Sequence, residues 1–93
     1  MIKTTTVSHE EAEILALQAL AFLAATPDRM TRFLQLTGLD VDSLKTAADT
    51  PQVQCAVLQH IMENETDLLV FASQLRLPPE TVPLAFDRLS GAN

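Results

Sequence analysis

From Ala12 to Ala25 the chain reads AEILALQALAFLAA, with Glu13 and Gln18 its only polar residues. At about 100° per residue, Ile14, Leu15, Leu17, Leu20, Phe22 and Leu23 point nearly all the way round a helix. A helix that is apolar on every side belongs inside protein or lipid. The stretch is shorter than the roughly 20 residues that a membrane span needs. The pattern therefore predicts a central helix, from about His9 to Ala25, with later helices packed around it. Leu20 and Phe33 are the expected core anchors.

The polar punctuation sets the other elements. Ser8-His9-Glu10-Glu11 has the spacing of a capping box. Thr26-Pro27 and Thr50-Pro51 each read as an N-cap followed by proline at the first helical position. Met30, Phe33, Leu34 and Thr37 make the apolar face of a second helix that ends at Gly38. Arg29 and Arg32 point away from that face. Asp40 caps a short third helix, about Val41 to Ala48, with Leu44 facing in. A fourth helix runs from Pro51 to about Glu63. Asn64 opens a fifth, with Leu68, Phe71, Ala72 and Leu75 as its stripe; one long kinked helix is the alternative. Leu77-Pro78-Pro79 stops it. A sixth follows from about Glu80 to Leu89, starting as late as Thr81 because of Pro83. Residues 1–7 and 90–93 are expected to fray.

The fold class is all-α: one domain over residues 1–93, a bundle of five or six short helices around the first. A shift of 38 residues aligns Thr26 with Asn64, Met30 with Leu68, Phe33 with Phe71 and Leu39 with Leu77. Two units of three helices follow, either by duplication or because helices of similar length match by pattern.

In ALQALAFLA (16–24), RFLQLTGLD (32–40) and LPPETV (77–82) the chain resembles a family of short, uncharacterised bacterial helical proteins. The resemblance implies a bacterial cytosolic protein. It implies no activity and gives no residue a role.

Composition narrows the function. Six basic against twelve acidic residues leave a net charge of −6. Nucleic-acid binding needs a clustered basic surface, so the charge disfavours it. Cys55 is the only cysteine, which rules out an internal disulfide and fits the cytoplasm. Cys55 and His60 do not share a helix face, and no pair has zinc-site spacing. No phosphate-cradling glycine loop exists. No cofactor, metal or catalytic residue is expected, and no membrane.

Phe33 to Ala47 fits a helix-turn-helix with Gly38 at the turn. Asp40, Asp42 and Asp49 against Lys45 would repel phosphate, which favours a plain αα-corner; a degenerate DNA binder is the alternative. Arg29, Arg32 and Leu36 share one helix face. Leu36, Met62, Leu69, Val70 and Leu84 fall off the main stripes. Arg29, Arg32, Leu36, Met62 and Leu69 are therefore the candidate surface for a protein partner or a second copy of the chain. The expected role is a small non-catalytic interaction or regulatory module, with a small-ligand binder as a further alternative.

Overall fold

The structure, a computed structural model, describes residues 7–91. The fraying expected for 1–6, 92 and 93 lies outside them. Six helices follow in order: α1 (His9–Ala24), α2 (Pro27–Thr37), α3 (Val41–Ala47), α4 (Pro51–Met62), α5 (Glu65–Leu75) and α6 (Thr81–Ser90). The fold is all-α, and α4 and α5 are separate helices.

Most of the boundaries follow local chemistry. The capping box is complete: Glu11 N donates to Ser8 Oγ, and Ser8 N to Glu11 Oε1. The side chains of Asp40, Thr50 and Asn64 accept from the amides of Ser43, Val53 and Asp67. Gly38 ends α2 at φ 76°, a left-handed conformation that glycine adopts without strain. Thr26 is the N-cap of α2 with Pro27 following, as expected, but its side chain makes no capping bond. Its hydroxyl accepts from Arg29 Nη1.

Val7 and Ser90, at the edges of the described residues, depart from expectation. Val7 is buried, and its carbonyl accepts from Arg88 Nε at 2.9 Å. Ser90 is the last residue of α6, and Gly91 caps it at φ 75°. Prolines 78 and 79 are not what stops α5. Arg76 does so earlier, in a left-handed conformation at φ 57°.

The expectation of an enclosed first helix is overturned. The molecule measures 37 × 25 × 17 Å between Cα extremes. Packed helices lie about 8–10 Å apart, so 17 Å holds two layers. In two layers every helix keeps a face to solvent. In α1 that face carries Ile14 and Leu17, each 51% exposed. The opposite face buries Ala12, Leu15, Ala16, Ala19, Phe22 and Leu23. Leu23 is fully buried, whereas Leu20 is only partly so.

Helix α4 packs against α1, α2, α5 and α6. Its Val57, Leu58 and Ile61 lie among the most deeply buried side chains, with Phe33, Phe71 and Val82. Short α3 is pinned by Leu44, its one buried residue. Gln54 is the one buried polar side chain among the described residues, and its Oε1 has no hydrogen-bond partner there.

Candidate functional site

The halves pack chiefly through α1 against α4 and α6, and one ion pair joins α2 to α5. Arg29 Nε donates to Asp67 Oδ1 at 3.1 Å, a pair with side-chain exposures of 29% and 15%. The Arg29 guanidinium also lies 4.5 Å from the centroid of the Phe22 ring, near enough for a cation–π contact. Arg29 thus turns inward, against the expectation that it points away from the core. Aliphatic stem and flat guanidinium both suit that partly buried position.

Beside this pair opens a cleft of about 490 Å³. From α2 come Asp28, Arg29, Thr31, Arg32 and Gln35; α4, its C-terminal turn and α5 contribute His60, Asn64 and Asp67. His60 is half-buried, its ring edge-on to Phe33 with centroids 5.2 Å apart and planes at 74°. Burial lowers the His60 pKa, and the charge of Arg32 lowers it further, while Asp67 and Glu63 act the other way. The imidazole is therefore neutral near pH 7 and keeps one donor and one acceptor nitrogen. Arg32 is exposed and makes no ion pair among the described residues.

The five candidate surface residues do not gather in one place by role. Arg29 and Arg32 both line the cleft, but Arg29 is held by Asp67. Leu36, 65% exposed, lies one turn beyond Arg32 on α2. Leu69, 48% exposed, is on α5. Met62 is not free surface: with Val70 and Leu84 it packs on the core as a partly buried side chain. An off-stripe position at a helix end still meets a neighbouring element, which periodicity within one helix does not register.

Sequence reasoning did not gather the cleft. Thr31, Gln35, His60, Asn64 and Asp67 come from separate elements, which spacing along the chain does not bring together. The signal was present in the 38-residue shift, which sets Arg29 against Asp67 and Phe22 against His60. Exposed Ile14, Leu17 and Val41 were also missed.

Other chemistry finds little support in the geometry. Among the described residues no group of three His, Cys, Asp or Glu is placed to hold a metal ion. Cys55 is partly buried, and burial raises its thiol pKa, which leaves it mostly protonated. The α2–Gly38–α3 corner exists, but the carboxylate of Asp40 is committed to the Ser43 amide, which lowers its pKa. Asp40 therefore stays charged at the start of α3 and opposes a phosphate backbone.

The fold is a small all-helical bundle with a polar cleft lined by α2, α4 and α5. No curated protein and no solved structure matches the chain. A family model described as "Protein of unknown function (DUF3572)" matches residues 9–92, and the chain belongs to that family. Among the described residues no helix is long and apolar enough to cross a membrane.

Proposed function

We propose that this protein is a small interaction module without catalytic activity, and that α2 carries its recognition face. The observation behind this reading is the placement of Leu36. It is the most exposed large apolar side chain described, and it sits one turn from Arg32 at the end of the polar cleft. An exposed apolar residue next to an uncommitted arginine is the pairing that protein interfaces favour: an apolar anchor with a polar rim. The half-buried cleft supplies further donors at fixed positions. The proposal puts the module in the cytoplasm of a bacterial cell. The lone free thiol supports that compartment, and the family resemblance supports the host.

The test is capture of partners from native lysate by tagged wild type, Leu36→Asp, Arg32→Glu and Ile14→Asp, quantified by mass spectrometry. One stoichiometric partner held by wild type and Ile14→Asp, and lost from the two α2 variants, is the expected result. Capture that ignores α2, or no capture above background, overturns the proposal.

A further inference from the structure

The 38-residue correspondence provides an internal control for the cleft. Arg32 corresponds to Val70, and His60 to Phe22. Phe22 is buried, and Val70 packs on the core. At corresponding positions, then, one half packs a phenyl ring and an isopropyl group on the core. The other half presents an imidazole and a guanidinium to an open cleft.

Both groups can donate hydrogen bonds, and both lack an acceptor. Arg32 makes no ion pair, and His60 makes no hydrogen bond, among the described residues. The nearby carboxylates are otherwise engaged or sit to the side. Asp67 pairs with Arg29 on α2, and Glu63 at the end of α4 accepts from Gln59 at 3.3 Å. Asp28 lies in the first turn of α2.

We propose that the cleft binds one side-chain carboxylate of a partner polypeptide between the Arg32 guanidinium and the His60 imidazole. This rests on the interaction-module reading and names what its partner presents. One carboxylate fits better than a run of them. Asp28, Glu63 and Asp67 surround the site, and the chain carries −6 overall, so each further acidic group meets repulsion. Leu36 supplies the contact for an apolar neighbour in the same segment. Binding takes up a proton: a carboxylate beside His60 opposes the burial and the Arg32 charge that keep it neutral. Affinity therefore rises as pH falls through the range where bound His60 is protonated and free His60 is not.

The experiment follows the His60 ring protons by NMR across a pH titration of the full chain. The probes are a capped Ala/Leu peptide with a single Glu, the same peptide with Gln, and sodium acetate, all at matched ionic strength. The Glu peptide is expected to raise the His60 midpoint by about one pH unit at saturation. The Gln peptide should leave it in place, and Arg32→Val should abolish the shift. An unmoved midpoint with the Glu peptide, an equal shift with the Gln peptide, or a shift retained in Arg32→Val overturns the proposal. An equal shift with acetate at the same concentration assigns the cleft to a small free acid and overturns the polypeptide source. Failure here, with lysate capture still dependent on Leu36, removes the carboxylate site and leaves the interaction reading standing.

Discussion

Arg29 and Asp67 pair at 3.1 Å across a sequence separation of 38 residues, the offset that also aligns the caps and core positions of the two halves. Each is the counterpart of the other. The correspondence is local to this junction: α6 packs on both α1 and α4, and its counterpart α3 has no equivalent packing. The aromatic contacts obey the same relation. Phe22 meets Phe71 at 5.3 Å, and the counterpart contact of His60 with Phe33 is 5.2 Å. Helices α2 and α5 also match residue for residue, and both end in a left-handed residue, Gly38 and Arg76.

Two oppositely charged residues paired across the halves can be exchanged. Arg29→Asp and Asp67→Arg should each destabilise, since each sets like charges together at a partly buried position. The double exchange should recover most of the loss, with a coupling energy of about 1–2 kcal/mol in urea unfolding. Recovery should be incomplete, because aspartate at 29 forfeits the cation–π contact with Phe22. A strictly additive double variant would mean that the pair is incidental.

The core argument ranks three substitutions. Leu23 and Phe33 are fully buried, and Leu20 only partly. Leu23→Ala and Phe33→Ala should each cost about 3–5 kcal/mol. Leu20→Ala should cost clearly less than Leu23→Ala, contrary to what the sequence pattern of α1 suggests. Chemical denaturation of the three variants checks the order.

Gln54 is buried with an unpartnered Oε1. Replacing it with methionine keeps the length of the side chain and removes the acceptor. Gln54→Met should therefore stabilise by about 1 kcal/mol, read as a raised melting temperature. A lowered one would show that Gln54 makes a bond essential to α4.

The pH dependence has a definite sign. The folded state lowers the His60 pKa from 6.5, so between that value and the lower folded one the unfolded chain binds more protons. Stability rises with pH across this window and is lost as pH falls through it. His60→Phe, which copies the counterpart Phe22, should flatten that part of the stability profile relative to wild type. An unchanged slope would assign the dependence to other groups.

The local signals were legible in the sequence because they are local. The Ser8 box, the Asp40, Thr50 and Asn64 caps and the Gly38 stop each involve residues within one turn. The misreadings share one cause, which is that a helix pattern carries no information about its surroundings. The apolar circumference of α1 says nothing of a two-layer molecule that leaves Ile14 and Leu17 in solvent. Thr26 has the sequence of a cap and loses its hydroxyl to Arg29. Arg32 and Leu36 could be placed on one face from spacing alone. His60 could join Arg32 only once α4 was set against α2.

The central claim is that Arg32 and His60 serve binding and not folding. The most direct measurement is made on the double variant Arg32→Val/His60→Phe, which installs the residues of the other half. Its melting temperature and its capture of the wild-type partner from lysate should be read on the same preparation. The account predicts melting within about 3 °C of wild type, as for surface changes within about 0.5 kcal/mol, together with loss of the partner. Collapse of the fold, or full retention of the partner, would contradict it.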